Sequence, residues 1–180
     1  MTWTAPMTAV SGSIFTAAQF NTFVRDNLLE TPAAKATTAG SLFATVSAGQ
    51  IAERIPNRSL IVTSEPTTAT SYADLATPGP QVTVTHGTSA LICVTSRINV
   101  GTANIGGQAG VDISGATTEA AGDTHCLRSD AASSANSNRM TAVRLHTTLT
   151  PGTSVFKMQY KVASAATGTF SAREIVVIPF

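Results

Sequence analysis

Thr150-Pro-Gly-Thr-Ser-Val-Phe-Lys-Met-Gln-Tyr-Lys-Val162 decides the fold. From Val155 onward it alternates. Phe156, Met158, Tyr160 and Val162 point one way, and Lys157, Gln159 and Lys161 the other, the period of two of a strand with one face buried. Thr150-Pro-Gly-Thr153 in front of it predicts a type II turn, with Pro at the first central position and Gly at the second. Working outward, the same period or an apolar run of strand length recurs at Leu42–Val46, Ser59–Ser64, Gln81–Thr85, Ala90–Val100, Ile105–Ile113, Thr141–Leu149 and Phe170–Phe180, with Ser71–Leu75 as an edge strand. Pro78-Gly-Pro80 and Thr167-Gly168 punctuate them as turns. Gly115–Asp123 and Asp130–Asn138 are loops of small residues. Eight to ten short strands with turn signals every ten or so residues predict an all-β, jelly-roll-like antiparallel sandwich.

The closing run Ile175-Val-Val-Ile-Pro-Phe180 is apolar on both faces. A strand of that kind is covered on both sides. Another subunit can supply the cover, or the N-terminal arm can shield a central strand. The first reading implies a closed ring, a trimer.

The front of the chain is organised differently. Residues 1–15 have no period and are broken by Pro6 and Gly12, yet they carry Trp3, Met7, Val10, Ile14 and Phe15. Thr16-Ala-Ala-Gln19 fits a capping box, with Ile14, Phe15 and Phe20 placed for a hydrophobic staple. Phe20, Phe23, Val24 and Leu28 form one stripe of an amphipathic helix over Thr16–Glu30. Thr31-Pro32 ends it. A helix this short is marginal alone in water, so its stripe requires a surface to pack on. The organisation read from the chain is an arm and helix over 1–32, a linker over 33–40 and a β domain over 41–180.

Composition sets the outer limits. Thr, Ala and Ser make up about two-fifths of the 180 residues, charged residues are 12% and the net charge is +1. No overall field favours nucleic acid or an anionic membrane, and no stretch reaches the length of a membrane span. Met1 is not followed by the basic start of a signal peptide. So little charge suits a chain that assembles with copies of itself or with other proteins.

Chemistry-bearing residues are sparse. Asp123-Thr-His-Cys126 gathers a carboxylate, an imidazole and a thiol, but three or four metal ligands with a supporting shell are not in sight. Adjacent residues on a strand also face apart. Cys93, in Ala90-Leu-Ile-Cys-Val94, reads as a small buried apolar group, and a bridge to Cys126 is the lesser reading. Gly101-Thr-Ala-Asn-Ile-Gly-Gly-Gln-Ala-Gly110 lacks the Lys-Ser/Thr ending of a phosphate loop; its glycines read as a bulge or a close approach of a neighbouring element. The arginines are scattered, and Asp112, Asp123 and Asp130 lack calcium-loop spacing. No catalytic residue, metal site or cofactor is expected. For a carbohydrate platform only Tyr72 and Tyr160 are available, since Trp3 lies in the arm.

Thr2-Trp3-Thr4-Ala5-Pro6, Gly12, Thr16-Ala17-Ala18-Gln19-Phe20-Asn21 and Val24-Arg25-Asp26-Asn27-Leu28 together resemble the opening of structural proteins of tailed bacteriophages infecting actinobacteria, minor tail and head-surface proteins. The closing run (Leu149-Thr-Pro-Gly152, Phe156–Tyr160, Phe170–Pro179) is similar in style to their jelly rolls of the tumour-necrosis-factor class, which trimerise. The resemblance implies a non-enzymatic virion surface protein, a decoration or minor capsid protein on the capsid exterior. The alternative is a minor tail or baseplate protein with affinity for host glycans. Its implied partners are itself as a homotrimer and the major capsid or tail protein, with no nucleic acid and no membrane. The anchor is expected at Trp3, Phe15, Phe20, Phe23, Val24, Arg25 and Leu28, and the trimer interface at Phe156, Tyr160, Phe170, Val177 and Phe180.

Overall fold

The computed structural model describes residues 3–130 and 137–180. The chain divides into two compact units, residues 1–55 together with Phe180 and residues 56–179. The boundary therefore falls after Ile55, not in the linker expected at 33–40.

In the first unit, Thr16 caps the helix as its sequence requires. Its hydroxyl accepts from Gln19 N, and the Gln19 side chain accepts from Thr16 N. α1 (Ala17–Phe20), a π-helical stretch (Asn21–Arg25) and α2 (Asp26–Leu28) run on without a break. Thr31 then caps a further short turn, α3 (Pro32–Lys35), with Pro at the position where a missing N–H costs nothing. A two-stranded hairpin follows, β1 (Leu42–Ser47) with β2 (Gln50–Arg54). The segment read as a linker is thus partly helical. Its remainder is fastened, because the Glu53 carboxylate accepts from Thr37 N (3.0 Å), Thr37 Oγ1 (2.5 Å), Thr38 N (2.8 Å) and Ser41 Oγ (2.6 Å).

The second unit is the sandwich. Its strands are β3 (Asn57–Ile61), β4 (Glu65–Thr67), β5 (Gln81–His86), β6 (Ala90–Val100), β7 (Gly106–Gly115), β8 (Leu127–Asp130), β9 (Ser137–His146), β10 (Gly152–Val162) and β11 (Gly168–Pro179). One sheet has the order β3-β11-β6-β9, with β4 added beside β11, and the other β5-β10-β7-β8, all antiparallel. From β5 on the chain changes sheet at every connection except β7–β8, which is the jelly-roll winding. Pro151-Gly152 accordingly closes no hairpin: β9 and β10 lie in different sheets, and the turn carries the chain between them. Ser71–Leu75 forms no strand and contributes an isolated bridge between Ala73 and Tyr160. Of the loop expected at Asp130–Asn138, residues 131–136 lie outside the described residues, while Asp130 ends β8 and Ser137 starts β9.

Alternation decides the core. β5 and β10 bury every second residue. Phe156, Met158 and Tyr160 from β10 cluster with Phe170, Ile175 and Val177 from β11 and Ile92, Val94 and Ile98 from β6, and Val162 is buried as well. The glycines of β7 are close-approach residues: a Cβ on Gly107 would stand 2.5 Å from Ile98 Cγ2, and one on Gly110 2.9 Å from Tyr72 Cε1. The core also corrects the expected trimer interface. Phe156, Tyr160, Phe170 and Val177 are 0% exposed within their own protomer. Side chains consumed in this way offer no surface to a second copy. Of that set only Phe180 is exposed.

β11 cannot keep one phase along its length. Phe170 and Ile175 both face inward although they differ in parity, so one extra residue must be absorbed between them. The structure absorbs it in a bulge at Ser171–Glu174 opposite β6, with Ala172 in the left-handed region at φ 46°. The bulge turns Arg173 into the core, fully buried. Its guanidinium donates to Thr77 O (3.1 Å), Gly79 O (3.4 Å), Thr63 Oγ1 (3.2 Å) and Glu65 Oε2 (3.1 Å), and lies 5.5 Å from the centre of the Tyr160 ring. Tyr160 Oη donates to Gly79 O as well (2.9 Å). One cation thereby fastens the 62–80 connection onto the sandwich. Arg173→Ala should lower the unfolding free energy by about 3–5 kcal/mol, the usual cost of leaving one partner of a buried pair behind. Urea denaturation followed by circular dichroism checks this, and a loss under about 1 kcal/mol would contradict the assigned role.

Candidate docking surface

The arm is held on the helix by one side chain. Asn27, 4% exposed, accepts from Thr4 N through Oδ1 (2.8 Å) and donates through Nδ2 to Thr4 O (2.9 Å) and Phe23 O (3.1 Å). It presents Thr4 with the donor–acceptor pair that a neighbouring strand would present. Trp3 N donates to Gly49 O at 3.4 Å, which brings the start of the arm to the tip of the β1–β2 hairpin. A Cβ on Gly49 would stand 3.4 Å from Trp3 Cβ. Lys35 bridges α3 to β2 by donating to Ile51 O (3.0 Å), and it pairs with Glu30 at 2.7 Å. The Lys35 ammonium holds the Glu30 carboxyl below its ordinary range.

These ties are all polar, and the apolar residues they carry face outward. Trp3 is 46% exposed, Phe15 51%, Phe20 49% and Leu28 60%. Phe23 and Val24 are half-buried, and Arg25 is exposed, paired with Asp26 at 2.7 Å. Phe15 meets Phe20 edge-on at 6.1 Å, so the staple read from the sequence forms, but at the surface. Val10, Ile14 and Leu29 are exposed too. Of the stripe that should pack against something, Phe23 and Val24 are partly covered and Phe20 and Leu28 stay exposed. Large apolar groups gathered on one element and held by hydrogen bonds are the pattern of a binding surface, not of scattered surface hydrophobics.

The sandwich carries a cavity of about 540 Å³ between β6, β9 and the β7–β8 connection. Ile92, Val94, Val111 and Ala142 line it, with Glu119, Arg144, Thr124, His125 and Cys126 around them. Glu119 accepts from Arg144 Nη1 (2.6 Å) and Nη2 (3.2 Å) and from His146 Nε2 (2.8 Å), while Thr148 N donates to His146 Nδ1 (3.3 Å). The Arg144 guanidinium holds the Glu119 carboxyl low. These groups satisfy one another and do not aim a nucleophile at a base.

The remaining candidates from the sequence are placed as follows. Asp123–His125 forms a single 3₁₀ turn. Asp123 pairs with Lys161 at 2.7 Å, which keeps its carboxyl low, and Cys126 Sγ donates to Asp123 O at 3.3 Å. Both cysteines are free thiols. Cys93 is half-exposed on the outer face of its sheet, against the expectation of burial, because β6 points Ile92 and Val94 inward. Among the described residues no group of three or more His, Cys, Asp or Glu could hold a metal ion. Tyr160 is buried, which pushes its phenol up and removes it as a stacking platform. Tyr72 carries Lys161 Nζ 4.8 Å from its ring centre. No described helix is long and apolar enough to cross a membrane.

No protein-family model matches the chain, and comparison with curated proteins finds no match. Among solved structures, the chain is similar to one described as "Structure of infectious bursal disease virus Gx strain", with 12% identity and a TM-score of 0.44 over 76% of this chain and 36% of that chain. The chain thus spans about a third of the length of that neighbour.

Two outcomes follow from this geometry. Asn27→Ala should release Thr4 and leave its buried partners unpaired, at a local cost of about 1–3 kcal/mol. Trp3 is the single Trp of the chain, so its emission should shift to the red while the β-sheet circular dichroism stays unchanged. Glu53 titrates at about 2 instead of 4.5, chiefly because Ser41 and Thr37 donate to its carboxylate. A lowered folded-state pKa stabilises above the unfolded value, and that contribution disappears as pH falls from about 4.5 to about 2. The protection of the Thr37 and Thr38 amides, measured against their intrinsic exchange rates, should fall through that window, and Glu53→Gln should abolish that fall.

Proposed function

We propose that the chain is a non-enzymatic structural component of a virion surface, docking through its N-terminal arm and helix and self-associating through its jelly-roll domain. The carrying observation is the exposed apolar set Trp3, Phe15, Phe20 and Leu28, held in place by the Asn27–Thr4 pairing. Aromatic anchors of this kind supply most of the affinity of a protein interface, and several anchors joined in one assembly multiply it. The low charge of the chain and the resemblance of residues 2–28 to phage surface proteins support the same reading. Its finer form is a capsid decoration protein on the outside of the head, with the major capsid protein as partner and a homotrimer as the assembled unit. The buried set Phe156, Tyr160, Phe170 and Val177 is not part of that trimer's interface.

A place in the tail as a minor tail or baseplate protein would use the same anchor. Host-glycan binding gains no support from Tyr72, whose ring already faces Lys161.

Phe20→Asp with Leu28→Asp tests the anchor. Both side chains are about half exposed or more, so the variant should fold like the wild type. Virus particles lacking the protein should bind the wild type on co-sedimentation and lose the variant by at least about 100-fold, as expected for two anchors near 2 kcal/mol each. Full binding by the variant would defeat the reading. Labelled protein counted per particle separates head from tail: hundreds of copies mark the head and a handful the tail.

A further inference from the structure

The cavity between β6, β9 and the β7–β8 connection originates in the lengths of the strands around it. β8, at the edge of its sheet, has four residues and pairs with β7 over Gly106–Ala109, whereas β9, at the edge of the other sheet, has ten. Beyond Ala109 that side of β7 is met, among the described residues, by the isolated bridge of Ile113 with Glu119. Where β8 has not yet begun the sandwich stays open, and Glu119, Gly122 and Cys126 border the gap without filling it. Its volume of about 540 Å³ is that of a small-molecule site.

The walls are of two kinds. Ile92 and Val94 form a buried apolar back, and Val111 and Ala142, partly buried against the same core, flank it. Water against such a wall finds no partner there, so an apolar group that displaces it gains affinity. The rim is polar. Arg144 spends two of its five N–H groups on Glu119 and keeps three. The exposed Thr124 hydroxyl and His125 ring bond to no other described residue. Glu119 is already occupied, taking three hydrogen bonds from Arg144 and His146. The rim therefore offers donors, and its one guanidinium is neutralised by its one carboxylate. A ligand carboxylate at Arg144 would also meet the Glu119 carboxylate, and a ligand ammonium at Glu119 would also meet the Arg144 guanidinium. Each is a like-charge contact in a partly enclosed site. An uncharged head that accepts hydrogen bonds meets neither penalty.

We infer that this cavity binds a small uncharged amphiphile. Its aromatic or short aliphatic body lies against Ile92, Val94, Val111 and Ala142, and its hydroxyl or amide head accepts from Arg144, Thr124 and His125. The site lies wholly within the second unit and is independent of the docking proposed above. Cys126, a free thiol on the same cavity, reports on its occupancy.

The test is methyl-detected NMR on the full chain, titrated separately with benzyl alcohol, benzoate and benzylamine, which share one ring and differ in the charge of the head. Benzyl alcohol should shift the methyl signals of Val94, Val111 and Ala142 saturably, with a dissociation constant in the millimolar range expected for so small a ligand. The two charged probes should bind at least about tenfold more weakly, because each brings a like-charge contact. Ala142→Phe should fill the cavity and abolish the shifts, with circular dichroism verifying its fold. A second measurement needs no cavity variant. In Cys93→Ser, where Cys126 is the remaining thiol, benzyl alcohol should slow alkylation by iodoacetamide with half-effect at the same concentration. Absence of saturable shifts at these methyls, or unchanged alkylation, would overturn the site. Benzoate or benzylamine binding as tightly as benzyl alcohol would overturn the uncharged head.

Discussion

A guanidinium in the middle of an apolar core constrains the rest of the sandwich. Arg173 reaches the interior because β11 must contain one residue more than β6 allows, and the bulge at Ala172 turns it inward. Once inside, the charge has to be met, and the groups that meet it come from one connection, Thr63, Glu65, Thr77 and Gly79. Glu65 in turn accepts from Thr77 N and Oγ1, so the connection is closed on itself as well as on the core. A buried ion pair adds little net stability against an apolar replacement. Its effect is specificity: β11 in another register would bury the same charge without partners. The central strand, the core packing of Tyr160 and the path of residues 62–80 are one arrangement.

The first unit follows the opposite logic. Its described residues have a single buried apolar side chain, Ala44, and its order comes from hydrogen bonds by Asn27, Lys35 and Glu53. Apolar groups that would form a core elsewhere are left facing outward. A fold held by polar ties can present a greasy surface without collapsing onto it.

Most of the sandwich was legible because it depends on the period of two. β6 was readable to the residue, and β5, β9, β10 and β11 to within a few residues, since each buries every second residue over most of its length, while β7, buried on both faces over Gly106–Gly110, was readable from its glycine-rich apolar run. The helix cap at Thr16 was legible because its hydrogen bonds are local. β2, β4 and β8 were not: Gln50-Ile-Ala-Glu-Arg54 is half-buried throughout and shows no alternation, and the other two are short. The parity clash between Phe170 and Ile175 was present in the sequence and is the signal that could have revealed the bulge. The amphipathic stripe of the helix was legible from its spacing, and the structure leaves Phe20 and Leu28 of it exposed. The expected trimer residues failed for a specific reason: alternation identifies a buried face but does not say whether the same chain or another one buries it.

Asn27 has a thermodynamic consequence for recognition. A disordered tail that folds onto a partner spends part of its interaction energy on its own conformational entropy, about 1–2 kcal/mol for each backbone residue fixed. Here the Thr4 peptide and the helix that follows are already fixed before any encounter, so that portion of the entropy is lost when the chain folds. The docking proposed for this segment would then have mainly rotamers to freeze, closer to a rigid encounter than to coupled folding.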